Sequence, residues 1–281
     1  MSAFLASIGL AEVAAGTMIL ALNAYALTGG ADFGGGLWDL LASGPRRAEQ
    51  RALVAHAIGP IWEANHVWLI VVVVVLFTGF PATFAALGTV LHVPLALMLV
   101  GIVLRGSAFV FRSYGAADDA GQRRWGRVFA IASTLTPLLL GVVVGTIASG
   151  NAGRAVRRVA AVGAITPFAD VYLSPWLAPF PLVVGAMALA LFAFLAAVYL
   201  ALAAGEAALR DDFRRRALGA AVAVFVTAAA ALAIAARHAP HVVERLLGSP
   251  LALVLQLAVA ASALTGIAAL WTRRWHLARV A

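Results

Sequence analysis

Ala57-Ile58-Gly59-Pro60-Ile61-Trp62-Glu63-Ala64-Asn65-His66-Val67-Trp68-Leu69-Ile70 runs straight into five valines, Val71 to Val75. The run is apolar enough to belong to a membrane-embedded helix. It nevertheless holds a Glu, an Asn, a His and two Trp. An ionisable group at membrane depth costs about 2.5–3.5 kcal/mol on insertion scales, and such groups usually face a bundle interior or a water-filled path. The stretch therefore decides two things. The fold is built from membrane-crossing helices, and the polar residues on this helix are the first place to look for function.

Composition carries the reading outward. The 281 residues are 63% hydrophobic and 11% charged, with a mean hydropathy of +0.98, a balance that belongs to a polytopic membrane protein. Every basic residue is Arg, and the net charge is +8. The arginines cluster between apolar spans, so their partner is anionic lipid rather than nucleic acid. There is no Cys, which removes disulfides, thiolate metal sites and cysteine nucleophiles. Met1 to Gly30 lacks a basic leader and stays apolar for longer than a signal-peptide core, so it reads as a retained first helix.

About 20 residues of helix cross the hydrocarbon core. Seven segments qualify: 6–28, 52–77, 82–104, 126–149, 180–203, 217–236 and 250–271. The expected class is an all-α polytopic membrane helix bundle. A first four-helix unit covers 1–149, an extracytoplasmic loop covers 150–179 and includes room for a short interfacial helix, and a second unit covers 180–281. One set of alternate flanks holds Arg46, Arg47, Arg51, Arg105, Arg112, Arg123, Arg124, Arg127, Arg210, Arg214, Arg215, Arg216, Arg273, Arg274 and Arg279; the other holds Arg154, Arg157, Arg158, Arg237 and Arg245. Fifteen against five places the first set in the cytoplasm and the N-terminus outside. Trp271 to Arg279 reads either as the loop before one more helix or as a basic interfacial tail.

Glu63 has His66 three residues on and His56 seven residues back, all on one helical face. A carboxylate beside imidazoles in a low dielectric is suited to relaying protons; the plain alternative is a hydrogen-bonded cluster that ties two helices together. Glu63 and His66 also have the Glu-x-x-His spacing of di-iron bundles, but no other Glu has a His three residues later, and such a site needs a second pair. The sequence contexts of the six His give no reason to assign haem ligation to this chain. Tyr25 to Gly36 is glycine-rich without a Lys-Ser/Thr continuation, which rules out a phosphate loop. Gly30-x-x-x-Gly34 and Gly141-x-x-x-Gly145 instead suit close helix approach. Asp32 is expected near the cytoplasmic end of the first helix, within reach of bulk water. Arg105 and Arg112 flank the expected end of the third helix, where they act as topology determinants; from there Arg105 has the length to reach back toward Glu63 or Asp32.

Three stretches resemble subunit II of the cytochrome bd quinol oxidases. Tyr25 to Gly36 is similar to that family's first-helix ending, Leu-Asp-Gly-Phe-Asp-Leu-Gly. Gly59 to Ile70 is similar to its Gly-Pro-Val-Trp-Glu/Asp-x-Asn-x-Val-Trp-Leu-Ile signature, and Leu104-Arg105-Gly106 through Phe111-Arg112 to the motif after helix three. The resemblance implies two four-helix units, and hence an eighth helix beyond Arg279. It implies a haem-bearing subunit I as partner, quinol oxidised through that partner, and a bacterial inner (cytoplasmic) membrane location. All haems would lie in the partner, this chain would bind no cofactor or metal, and some members carry a quinone site. Carried over by residue, Asp32, Glu63, His66 and Arg105 form a proton path, with Trp62, Asn65, Trp68, Gly30 and Gly34 as signature and structural positions. Two family carboxylates are missing, at Gly29 and Val110. The competing functions on the same helices are a proton channel or transporter, which inverted repeats and broken helices would favour, and a structural membrane scaffold.

Overall fold

The computed structural model describes residues 9–58, 62–114, 119–162 and 166–280. In chain order the helices are α1 (Leu10–Leu40), α2 (Arg47–Ile58), α3 (Trp62–Gly79), α4 (Pro81–Val90), α5 (His92–Tyr114), α6 (Asp119–Ala148), α7 (Asn151–Val162), α8 (Phe168–Tyr172), α9 (Pro179–Ala203), α10 (Ala207–His238), α11 (Pro240–Leu247), α12 (Pro250–Trp271) and α13 (Trp275–Val280). Six of them, α1, α5, α6, α9, α10 and α12, are long and apolar enough to cross a membrane, and α3 with α4 makes a seventh when that bent pair is counted as one. The chain is thus an all-α membrane bundle, as its composition predicts.

The expected spans differ from the helices most in three places, while α6 and α10 also start earlier than expected, at Asp119 and Ala207. The first helix does not end near residue 28 but continues to Leu40. Gly30 and Gly34 face α9: a Cβ added at Gly34 would lie 2.0 Å from the Phe192 carbonyl oxygen and 2.7 Å from Ala196 Cβ. Glycine costs a helix about 0.5–1 kcal/mol relative to Ala, and here close packing against α9 offsets that cost. The segment expected at 82–104 is two helices, with α4 turned 117° from α3 and α5 starting after Leu91. Pro94 supplies the reason for the break: it has no N–H for the Val90 carbonyl, and its ring crowds that carbonyl. The segment expected at 52–77 appears as α2 and α3, and residues 59–61 between them lie outside the described set. By contrast, 180–203 and 250–271 coincide with α9 and α12 to within a residue.

Helix α9 is the hub, packed against α10, α6 and α1. Its small buried face, Ala193, Ala196, Ala197 and Ala201, meets Phe213, Ala217 and Ala220 of α10 and Trp38 of α1. The Trp38 indole donates to the Ala193 carbonyl at 2.8 Å. Gly141 of α6 sits so near α9 that an added Cβ would lie 2.8 Å from Gly185 Cα.

The two ends of the bundle differ. At one end Arg46 donates twice to Asp212, through Nε at 2.8 Å and Nη2 at 2.6 Å. Gln50 donates to the same carboxylate at 3.1 Å, and Arg216 donates to Gln50 at 2.7 Å. This polar collar ties α2 and the segment before it to α10. At the other end α7 lies amphipathically on the bundle. Ala155, Val156 and Val159 pack with Val90, Leu91, Val143 and Val171, while Arg154, Arg157 and Arg158 are exposed. The short helix expected in the 150–178 loop is therefore present.

Candidate functional site

Helices α1, α3, α5 and α6 surround a group of buried polar side chains. From α3, Asn65 Nδ2 donates to Asp32 Oδ2 on α1 and to the Thr28 carbonyl at 3.3 Å. Asp32 is 3% exposed and Arg105, from α5, is 2% exposed. The two charges are close enough to act on each other. The Arg105 guanidinium lies 4.6 Å above the Phe33 ring and 5.5 Å from the Phe129 ring, a placement that favours a cation by the ring quadrupole. Its Nε donates to Ser133 Oγ on α6 at 3.2 Å. Pro137, inside α6, cannot donate to the Ser133 carbonyl, so the helix offers an extra acceptor at the level where Arg105 arrives. Tyr25 and His66 complete the ring of groups, with centroids 6.1 Å apart and each about one ring width from Phe33.

Breaking such a cluster by removing one charge leaves the other buried and uncompensated, typically at about 3–5 kcal/mol. A carboxylate, an imidazole, a phenol and an amide within one water-poor interior can hold a proton and hand it on.

The structure corrects two sequence expectations and leaves others outside its reach. Asp32 is not near bulk water; α1 continues beyond it to Leu40 and the side chain is buried. Arg105 is not a flanking arginine, because α5 runs on to Tyr114. His56 is exposed on α2, apart from the buried group, whereas His66 is half-buried within it. Trp68 is 41% exposed on the outer face of α3. Gly30 lies against Phe192 and Leu195 of α9. The side chains of Trp62 and Glu63 lie outside the described residues.

Sequence reasoning missed Ser133 and a second carboxylate, Asp39, which is fully buried. Arg112 donates to its Oδ1 at 3.3 Å and pairs with Oδ2 at 3.2 Å. Arg51 Nε lies 3.7 Å from Oδ1 and donates to the Asp39 carbonyl at 3.2 Å. The signal was available: Asp32 and Asp39 are seven apart, as are Arg105 and Arg112, so each pair shares a helical face. It becomes visible once α1 and α5 are known to extend that far.

Fold and site together define a multi-span membrane bundle with ionisable groups inside its first half. The chain belongs to the cytochrome bd terminal oxidase subunit II family, whose family model matches residues 10–281. Cytochrome bd ubiquinol oxidase subunit 2 of Bacillus subtilis (strain 168) is 34% identical over 122 residues, 43% of this chain and 35% of that protein. Cytochrome bd-I ubiquinol oxidase subunit 2 of Escherichia coli (strain K12) is 30% identical over 129 residues, 46% of this chain and 33% of that protein. The matched region spans about a third of the length of these relatives. A chain in the structure of bd oxidase from Geobacillus thermodenitrificans superposes with a TM-score of 0.67 at 19% identity, over 97% of this chain and 77% of that one, a likeness of fold.

Proposed function

We propose that the chain is the non-haem membrane subunit of a cytochrome bd-type quinol oxidase, and that it supports assembly and delivers protons for the reduction of oxygen to water in a haem-bearing partner. The observation that carries the reading is the buried Asp32–Asn65–Arg105 group, an ionisable cluster kept inside a bundle where lipid would tolerate none of it. Asp32 and His66 are the proton-holding groups, with Glu63 at the start of the same α3. Asn65 orients Asp32, and Arg105 stabilises its charge. The haems supply the oxygen chemistry from the partner subunit, and quinol is oxidised there; this chain's residues hold and move protons. The first unit, 1–149, carries the path, and the second, 180–281, carries the packing hub. The arginine-rich collar faces the cytoplasm, with the N-terminus outside.

A channel or transporter would favour paired broken helices around a midplane site. Among the described residues one span is bent, α3 with α4, and α9, α10 and α12 each qualify as single helices, which favours the oxidase reading.

Purification of the tagged chain from native membranes is expected to bring down a haem-containing partner with quinol-driven oxygen uptake. Glu63→Gln in that complex is expected to lower oxygen uptake per haem, since general acid–base transfer contributes about 100–10,000-fold where it limits. Full turnover at normal haem content would remove Glu63 from the relay. Reporter fusions after Arg124 and after Arg215 are both expected to read cytoplasmic; a periplasmic signal at either overturns the orientation.

A further inference from the structure

Asp39 is a buried carboxylate that the relay described above does not use. Its surroundings can be followed from α1 outward. Asp32 and Asp39 lie seven residues apart on one face of a continuous helix, about 10 Å at the helical rise. Gly36 sits between them, and Ser133 presses against it: a Cβ added there would lie 2.1 Å from Ser133 Cβ. Ser133 also accepts from Arg105. The Arg105 guanidinium therefore stands at the level between the two carboxylates.

Two buried polar atoms in this region make no hydrogen bond among the described residues: Arg105 Nη2, a donor, and Asp39 Oδ2, an acceptor whose near charge is the Arg112 guanidinium at 3.2 Å. Buried polar atoms are seldom left unsatisfied, and in polar interiors ordered water commonly satisfies them. Asp39 is covered by side chains that reach solvent, Arg51 from α2 at 30% exposure and Arg112 from α5 at 22%. From α10, Arg216 donates to the Trp38 carbonyl at 3.5 Å. Asp39 thus lies one side-chain layer below the collar, on the same face of α1 as Asp32, whose carboxylate feels the Arg105 charge.

We propose that Asp39 is the carboxylate through which protons reach Asp32 from the arginine-rich end of the bundle. A proton taken by Asp39 from bulk water, past Arg51 and Arg112, passes along water held by Asp39 Oδ2 and Arg105 Nη2 to the Asp32 carboxylate, which restores the charge on Asp39. The arginines stay protonated throughout. In this chain, whose Gly29 and Val110 provide no acid, Asp39 supplies the outer carboxylate of the path. The inference rests on the proton-delivery reading above.

The test is oxygen uptake per haem by the assembled complex across pH, with Asp39→Asn, Asp39→Glu and Asp32→Asn prepared in parallel. Asp39→Asn is expected to slow turnover on the order of tenfold at alkaline pH, where protons are scarce, and less at acidic pH; this is below the full range for a limiting acid–base group because water partly bypasses an outer site. Asp39→Glu is expected to restore rate and profile. Unchanged rate and profile in Asp39→Asn beside a slow Asp32→Asn overturns the role of Asp39 while leaving the relay. Normal turnover in both overturns the relay itself. If Asp39→Asn loses haem, the doubly neutral Asp39→Ser/Arg112→Ser complex decides: an alkaline defect there supports the proposal, and full activity makes Asp39 a structural ion pair only.

Discussion

The two halves of the bundle handle the same membrane depth in opposite ways. Around α1, α3, α5 and α6 the interior holds Asp32, Asp39, Asn65, Arg105 and Ser133, all buried. Around α9 and α10 the buried residues are Ala, Leu, Val and Phe with Pro181 and Gly185, and a polar group such as Thr227 turns back to its own helix, donating to the Ala223 carbonyl at 2.7 Å. Lipid, or a partner's apolar face, asks only for apolar surface, and the second half meets that demand with small residues that pack tightly. The first half departs from it at several positions that touch one another. Helix packing does not require those departures, since the second half packs without them, and that sets the group around Asp32 apart from the rest of the interior.

The contrast can be broken most directly by oxygen uptake. Asp32→Asn keeps the shape and the hydrogen bond to Asn65 while removing the titratable group, and haem-normalised turnover is expected to fall about 100-fold or more. Thr227→Val in the second half is expected to leave turnover unchanged. Equal effects from the two would erase the distinction between the halves.

Next in size is stability. Arg105→Met leaves Asp32 buried beside an apolar chain, which is expected to cost about 3–5 kcal/mol, and Arg105→Met/Asp32→Leu is expected to recover part of that loss. Thermal unfolding in detergent measures both, and a double variant no better than the single would mean that the two charges are not coupled.

Glycines sharpen the comparison at the smallest scale. Gly34→Ala drives a methyl into the α9 backbone, so a loss of about 1–3 kcal/mol is expected. Gly219 on α10 has nothing within 4 Å of an added Cβ, so Gly219→Ala is expected to gain up to about 1 kcal/mol of helix preference. The same unfolding assay reads these opposite signs; a neutral Gly34→Ala would show that α1 and α9 can move apart without penalty.

Sequence legibility followed the same divide. The spans α9 and α12 were readable to the residue because apolar length alone defines them and prolines open both. The membrane character of α3, and Asn65 as a polar group within it, were readable for the same reason: a polar residue stands out against valines. The run of α1 beyond residue 28 was not, since its glycines have low hydropathy and their packing partner, Phe192, lies more than 150 residues away. With α1 cut short, Asp32 read as a surface group and Asp39 did not enter at all. Arg105 was misplaced by a similar error at α5, where Pro94 shifts the helix toward later residues. Ser133 carries no signal in its own neighbourhood; only the guanidinium it receives gives it meaning.

The collar has a consequence for how the protein is made. Arg46 and Asp212 are 166 residues apart in sequence, and at about 5–20 residues per second of synthesis roughly 10–30 s pass between the emergence of one and the other. During that interval α3, α5 and α6 are made and join α1, while Gln50 and Arg46 still lack the carboxylate that fixes them. The chain's own timetable therefore gives the insertion machinery a window in which the first half is present but not yet latched. Closure of the latch waits for the first turns of α10.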